Sequence, residues 1–198
     1  MKIIGTDNNY PTNSRRNQPI FFLKPETSMI RAGLPFFYPD FSAEIHCGIT
    51  LVFKICKVGR HIQPKFAHTY YKEVGIALDF TALDVLKTSI RHGLPWETSR
   101  AFDGSVAISH FLPLGQFPEK DNIPFSLSKN GKTICVIQSA DMLYPVDQLI
   151  ARISTHFTLK TGDMVFTGTP PEDLQPVRVG DKLMASLLGE RIMELDIK

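Results

Sequence analysis

A short polar loop after an apolar strand is the part of this sequence whose residue types and spacing most clearly suggest chemistry. The run from Met164 to Phe166 is apolar and predicts a strand, and Pro170 prevents regular pairing beyond it. Between them, Thr167, Gly168 and Thr169 offer hydroxyls and backbone amides that could bind an oxyanion or a carboxylate. Taken alone, such a run is more often a plain exit from a strand.

The longer run from Leu159 to Pro170 resembles the C-terminal signature of the fumarylacetoacetate hydrolase family. It reads Leu-Lys-Thr-Gly-Asp-Met-Val-Phe-Thr-Gly-Thr-Pro. Further segments resemble family motifs in the family's order, namely Lys2-Ile3-Ile4 with Asn9-Tyr10, Phe22-Leu23-Lys24-Pro25, Gly75 to Asp84, Leu94-Pro95-Trp96, Ala101 to Gly104 and Asn130-Gly131. Because the matches occur in order along nearly the whole chain, together they are more specific than any one of them.

The resemblance implies a divalent cation, usually Mg²⁺ or Mn²⁺, held by three carboxylates and acting on an acylpyruvate or a small 2-oxo dicarboxylate. Asp79 matches the third carboxylate, although an Asp before a predicted helix could instead be its N-cap. The other two come from a Glu-x-Glu pair on a strand, and the ungapped match from Val58 to Asp79 places Gly48 and Thr50 at those positions. Neither residue supplies a carboxylate, so the sequence predicts a poor magnesium site.

A second register would keep a metal site. Glu44 and His46 form an i, i+2 pair that would share one face of a strand, and with Asp79 they could make a triad suited to manganese, iron or zinc. This register requires a shift of four residues inside an otherwise ungapped match. The plainer interpretation is a solvated Glu and His where a strand begins. A related hypothesis is new chemistry around Glu44, His46 and His68.

Other positions implied by the resemblance have also changed. The family's lid carries a His-x-x-Glu dyad that serves as the general base, and Asn13 and Arg16 stand there instead. Asn13 can orient a water molecule but cannot take its proton. Arg100 replaces a family lysine and keeps a positive charge for a substrate carboxylate, unless it is a plain surface arginine. Lys24 and the residues of the Thr-Gly-Thr loop complete the expected substrate site.

The elements that must position these residues are mostly strands and turns. Two helices are predicted, Phe80 to Arg91 and Asp147 to Phe157, with Asp147 as an N-cap. A strand is predicted from Leu51 to Val58, Asn130-Gly131 predicts a hairpin, and residues 11–19 predict a mobile lid-type loop. The expected fold class is mainly β with two short helices (α+β), a mixed β-roll or β-sandwich, in a single domain of residues 1–198.

Composition narrows the function further. The chain has 198 residues, of which 43% are hydrophobic, and its net charge of +2 gives no reason to expect a nucleic-acid or membrane partner. Three widely spaced cysteines and no long apolar run predict a reduced cytoplasmic protein without a secretion signal. The resemblance implies a homodimer. The sequence therefore predicts a family enzyme that is impaired in its metal chemistry, or a non-catalytic relative with an anion or small-acid pocket.

Overall fold

The structure is a computed structural model that describes residues 1–11, 18–31, 33–117, 119 and 122–198. Over these residues it has twelve strands: β1 Lys2–Asp7, β2 Ile20–Pro25, β3 Ile45–Ile55, β4 Tyr71–Ala82, β5 Val106–Ile108, β6 Leu112–Pro113, β7 Pro124–Lys129, β8 Lys132–Gln138, β9 Met164–Phe166, β10 Gln175–Pro176, β11 Lys182–Leu187 and β12 Glu190–Asp196. The described helices are α1 Pro64–Ala67, α2 Leu83–His92, α3 Glu97–Arg100 and α4 Val146–His156. The fold class predicted from the sequence, mainly β with few short helices, is confirmed.

The strands form two sheets in the described part of the chain. The larger sheet has the order β2-β1-β9-β3-β4-β5, with β10 also paired to β3 and β6 to β4. The smaller sheet has the order β12-β11-β7-β8. All neighbours in both sheets are antiparallel except β1 and β9, which run parallel through Ile3 and Met164. The short strand β9 thus lies between β1 and β3, so the residues that follow β9 are close to both of these strands.

The two sheets enclose one hydrophobic core. Inward side chains of β3 and β4 pack in the same cluster as those of β7 and β11, for example Ile49, Leu78, Leu127 and Leu183, all fully buried. Burying such aliphatic side chains stabilises the fold by about 1.5–3 kcal/mol each. The alternation along β7 and β11, with every second residue buried, follows from the period of two in a strand.

Two predicted helix boundaries were wrong. Phe80 does not begin a helix: it is the tenth residue of the long strand β4, and α2 begins at Leu83 with Ala82 as its N-cap. Pairing with β3 as far as Ala82 overrides the helical spacing of the apolar residues. The helix α4 begins at Val146 with Pro145 as its N-cap, so Asp147 lies in its first turn. Its carboxylate accepts a hydrogen bond from Tyr71 Oη at 2.9 Å.

Other predictions were closer. The hairpin at Asn130-Gly131 joins β7 to β8, with φ of 53° and 80° at its two turn residues. The strand predicted from Leu51 begins earlier, at Ile45, and ends at Ile55. The predicted lid-type loop at 11–19 lies largely outside the described residues, because 12–17 are not described. No helix within the described ranges is long and apolar enough to cross a membrane.

Candidate active site

The Thr-Gly-Thr loop follows β9 and is fixed by hydrogen bonds from both neighbouring strands. Asn9, just beyond β1, donates from Nδ2 to Thr167 O at 2.9 Å. On the other side, Gly168 N donates to Thr50 Oγ1 at 2.9 Å, and Thr169 Oγ1 donates to Ile49 O at 2.8 Å. The loop is therefore held in one conformation by groups that lie far apart in sequence.

Gly168 has a conformation that only glycine adopts easily. Its φ is +95°, and a Cβ built on it would lie 2.6 Å from Thr6 O. The backbone of the loop therefore approaches the end of β1 closely. This agrees with the sequence-based expectation that Gly168 permits close backbone approach.

The pairing of β3 with β4 decides what faces Asp79. Gly48 lies directly opposite Asp79 in the antiparallel register, and Thr50 lies opposite Ala77. Directly opposite Cβ positions in such a pair are about 4.5–5.5 Å apart, so a carboxylate at position 48 would lie next to that of Asp79. The residue that stands there has no side chain, and a Cβ on Gly48 would lie 2.6 Å from Thr169 Oγ1 and 3.1 Å from Leu174 Cδ2.

Asp79 is a strand residue paired with a buried lysine. It lies within β4, so the N-cap interpretation was wrong. Lys24 Nζ lies 2.6 Å from Asp79 Oδ1, an ion pair that is not aligned as a hydrogen bond. The ammonium also donates to Ser105 Oγ at 3.0 Å and Ser105 O at 3.1 Å. Burial lowers the pKa of Lys24, and the carboxylate of Asp79 opposes that shift.

Arg100 is paired with a residue that the sequence analysis did not identify. Its Nη1 lies 2.5 Å from Asp7 Oδ2, and its guanidinium carbon lies 4.8 Å from the ring centre of Phe22 and 5.2 Å from that of Trp96. Burial raises the pKa of Asp7, Arg100 opposes the shift, and the charge of Asp79 adds to it. The interpretation of Arg100 as a plain surface arginine is therefore wrong, because its side chain is only 15% exposed and carries a defined ion pair.

These residues surround a small cavity of about 40 Å³. Its lining comprises Thr6, Asp7, Gly48, Thr50, Asp79, Thr81, Arg100, Phe166, Gly168, Thr169 and Leu174. The structure thus brings Asp79, Arg100, Gly168 and Thr169 together from distant parts of the sequence. Lys24 and Thr167 are fully buried and are not part of this described lining. Asn13 and Arg16 lie outside the described residues, so their placement stays a prediction.

Two buried donor groups belong to residues that line the cavity. Thr6 Oγ1 and Arg100 Nε are buried and make no hydrogen bond with another described protein group. Buried polar groups in proteins are normally paired with protein, water or ligand. Both groups can donate, so they suit a small molecule that carries an acceptor oxygen.

The alternative triad is not assembled. His46 Nε2 lies 3.3 Å from Glu44 Oε1, but Glu44 also pairs with Lys87 at 3.0 Å. His68 is close in sequence to Tyr70, whose backbone carbonyl accepts a hydrogen bond from Cys56 N at the C-terminal end of β3. His46 lies at the N-terminal end of the same strand, so the two histidines are far apart. No group of three or more His, Cys, Asp or Glu side chains that could hold a metal ion occurs in the described ranges.

The residues present do not fit the divalent cation that the resemblance implies. The cavity offers two carboxylates, Asp7 and Asp79, and each is already paired with a cation, Arg100 or Lys24. Thr50 Oγ1 already accepts from Gly168 N and also lies 3.3 Å from Thr167 Oγ1. Mg²⁺ requires near-octahedral oxygen ligation and loses its water reluctantly, so a site with balanced charges and few ligands is unfavourable for it.

Comparison with known proteins defines the class to which this fold and site belong. The model of the fumarylacetoacetate (FAA) hydrolase C-terminal domain matches residues 3–197. The chain is 32% identical over 198 residues to the oxaloacetate tautomerase YcgM of Escherichia coli K12, covering 96% of this chain and 90% of that protein. The chain therefore belongs to the fumarylacetoacetate hydrolase family.

Two further similarities extend this result. The chain is 28% identical over 202 residues to the mitochondrial oxaloacetate tautomerase FAHD1 of Bos taurus, covering 99% of this chain and 91% of that protein. The structure superposes with a TM-score of 0.91 on the crystal structure of fumarylpyruvate hydrolase from Pseudomonas aeruginosa in complex with Mn²⁺ and pyruvate. That match is 26% identical and covers 100% of this chain and 88% of the other. The family thus includes an enzyme that binds a divalent metal ion and a small 2-oxo acid.

Proposed function

We propose that this chain is a member of the family that no longer carries out metal-dependent hydrolysis, isomerisation or decarboxylation of acylpyruvates or small 2-oxo dicarboxylates. The observation that supports this most directly is the register of β3 and β4. Gly48 faces Asp79 without a side chain, and Thr169 and Leu174 occupy the space next to it. The two positions that would supply carboxylates by the resemblance therefore hold a glycine and a threonine whose hydroxyl already accepts a hydrogen bond from Gly168 N.

The charges of the cavity support the same proposal. Asp79 pairs with Lys24, and Asp7 pairs with Arg100, so two carboxylates are balanced by two cations. A divalent cation would have to displace both partners or add its charge to a balanced cluster, and either course is unfavourable at short range. Asn13 and Arg16 in place of the family's lid dyad remove the expected base as well.

The function that remains is binding of a small acid. Arg100 Nε and Thr6 Oγ1 are donors without a described protein partner, and both residues line the cavity. The cavity is small, with a volume of about 40 Å³, so the candidate ligand is a small carboxylate bound by Arg100, Thr6 and the Thr169 loop.

Calorimetric titration of the unmodified protein with Mg²⁺ and Mn²⁺, followed by assays of oxaloacetate tautomerisation and decarboxylation and acylpyruvate hydrolysis, tests the proposal. YcgM from E. coli is the positive control, because it is a related oxaloacetate tautomerase. We expect no metal binding tighter than millimolar and no turnover above the rate without protein. Metal-dependent turnover comparable with that of YcgM would refute the proposal.

A competing interpretation keeps the family activity with a different ligand set. Asp7 supplies a second carboxylate to the cavity that contains Asp79, and this pair is the observation in its favour. It requires that metal binding be lost in Asp7→Ala and in Asp79→Ala alike. Loss in Asp79→Ala together with Glu44→Ala or His46→Ala would instead support the alternative register.

Assembly and location are also part of the proposal. Membership in the family supports a homodimer, and exposed aromatic residues such as Phe37 and Phe41, 65% and 54% exposed, are available for an interface. The free thiols of Cys47, Cys56 and Cys135 support a reducing, cytoplasmic environment. Light scattering coupled to gel filtration measures the oligomeric state, and a monomeric mass at micromolar concentration would contradict the dimer.

A further inference from the structure

Residues 56–70 connect β3 to β4 at the surface and include the short helix α1; this connection is here called the basic loop. Its ends meet, because Cys56 N donates to Tyr70 O at 2.8 Å. Its middle is attached to the end of α4 and the segment after it: Gly59 and Leu159 exchange two backbone hydrogen bonds at 3.0 and 2.8 Å, and His61 N donates to Ser154 O at 3.0 Å. These backbone hydrogen bonds hold the basic loop in a defined position on the protein surface.

The basic loop contains cations and no carboxylate. Lys57, Arg60 and Lys65 are exposed within it, and Lys72 and Lys160 continue the charge at its borders. None of these five side chains lies within 4.0 Å of a described carboxylate oxygen. Elsewhere some exposed cations are paired, as in the contacts of Lys87, Lys182 and Arg191, and others, such as Lys132 and Arg178, are not. The positive charge of the chain is therefore unevenly distributed, because the basic loop carries several cations and no carboxylate.

Two apolar side chains project among these cations. Val58 is 61% exposed and Phe66 is 52% exposed. Lys65 Nζ lies 4.9 Å from the ring centre of Phe66, and Lys57 Nζ lies 5.0 Å from that of Tyr70. Each lysine covers a ring face that a nucleobase would need for stacking, which disfavours single-stranded nucleic acid as the partner.

We propose that the basic loop binds the surface of a membrane that contains anionic lipids. Its cations match the negative headgroups, and Val58 and Phe66 enter the boundary between headgroups and acyl chains. An acidic protein surface could pair with the cations, but it would need a shaped pocket for each apolar side chain. A lipid surface accepts both without a pocket. The proposal does not depend on the activity of the cavity.

Co-sedimentation with phosphatidylcholine vesicles, with and without phosphatidylglycerol, tests this inference. We expect binding only to the vesicles that contain phosphatidylglycerol. The charge reversal Lys57→Glu, Arg60→Glu, Lys65→Glu should weaken partitioning by at least about a hundredfold, from the usual contribution of a cation near such a surface. Replacing Val58 and Phe66 by serine should weaken it by about tenfold.

A matched control changes the same charge on other surfaces of the molecule. Lys132→Glu, Arg178→Glu and Lys198→Glu alter exposed cations outside the basic loop and without a described ion pair. This control should keep most of the vesicle binding, and circular dichroism should show all variants folded. Equal loss in the control and the loop variant, no binding to phosphatidylglycerol vesicles, or loop-dependent binding to DNA or polyglutamate without vesicle binding would each overturn the proposal.

Discussion

Restoring the missing carboxylates is the sharpest test of how this cavity differs from a metal centre. In the variant Gly48→Glu with Thr50→Glu, two carboxylates would project from alternate positions of β3, toward the face that carries Asp79. We expect this variant to bind Mg²⁺ or Mn²⁺ where the unmodified protein does not. We also expect it to be less stable than the unmodified protein in the absence of metal.

The expected loss of stability follows from the contacts at the two positions. A side chain at Gly48 meets Thr169 Oγ1 at 2.6 Å, so the Thr169 side chain must rotate and lose its hydrogen bond to Ile49 O, which costs about 1 kcal/mol. Replacing Thr50 removes the acceptor of Gly168 N, and an unpaired buried donor costs about 1–3 kcal/mol. The metal-free variant should therefore lose about 2–4 kcal/mol of unfolding free energy.

Metal binding should reverse much of this loss. A ligand that binds only the folded state at one hundred times its Kd stabilises by about 2.7 kcal/mol, and for a protein of this size each kcal/mol corresponds to about 2–4 °C in Tm. Thermal melts with and without Mn²⁺ should therefore show a rise of about 5–10 °C for the variant and none for the unmodified protein. The variant Gly48→Gln with Thr50→Gln has a similar shape without the charges, and it should show no rise.

Three results would refute this reasoning. The first is micromolar Mg²⁺ binding by the unmodified protein that is lost in Asp79→Ala. The second is an equal metal response of the glutamine variant, since that would place the metal elsewhere. The third is a metal-free glutamate variant as stable as the unmodified protein, because Thr169 would then not obstruct position 48.

Two further predictions concern the cavity wall. Arg100→Met leaves the partly buried Asp7 without its cation, so the pKa of Asp7 rises further. An acid with a raised folded pKa costs stability above its unfolded pKa of about 3.9. Urea unfolding should therefore show a loss of about 1–3 kcal/mol at pH 7 that shrinks toward pH 4, and a pH-independent loss would contradict the ion pair. Gly168→Ala should cost about 2–4 kcal/mol, because φ is +95° and its Cβ would lie 2.6 Å from Thr6 O. Gly131→Ala, with φ of +80° and open space around it, should cost only about 1–2 kcal/mol, and equal losses would exclude the contact with Thr6.

The sequence predicted correctly those elements whose boundaries are set by turn residues next to them in the chain. The short strand before the Thr-Gly-Thr loop and the Asn130-Gly131 hairpin were found because turn residues fix their boundaries. The start of α2 was missed because Phe80 to Ala82 also pair with β3, an interaction that helical spacing cannot reveal. The pairing of Gly48 opposite Asp79 joins two strands that are 31 positions apart, and no local pattern of residues specifies it.

Asp7, one of several cavity residues that the sequence analysis missed, has no local signal. It ends a strand near Asn9-Tyr10, and its partner Arg100 lies 93 positions further along the chain. The only available signal was the position of Asp7 two residues before Asn9-Tyr10, one of the segments that resemble family motifs. Lys24 was expected to contact substrate, yet its ammonium is directed to Ser105 and Asp79, because a buried ammonium requires several acceptors.

The balance of charge in the cavity leads to a last prediction. It tests whether the cavity binds a small acid or whether Arg100 only forms an ion pair with Asp7. Asp7 neutralises Arg100, so Asp7→Ala should free the guanidinium, enlarge the cavity and raise the affinity for pyruvate by about tenfold or more, with the gain falling at high salt. Asp40→Ala removes the same charge from an exposed position and is the matched control. Calorimetry of both variants with pyruvate provides the measurement. Pyruvate binding no tighter in Asp7→Ala than in Asp40→Ala would mean that Arg100 does not recognise a carboxylate, and the small-acid proposal would fail.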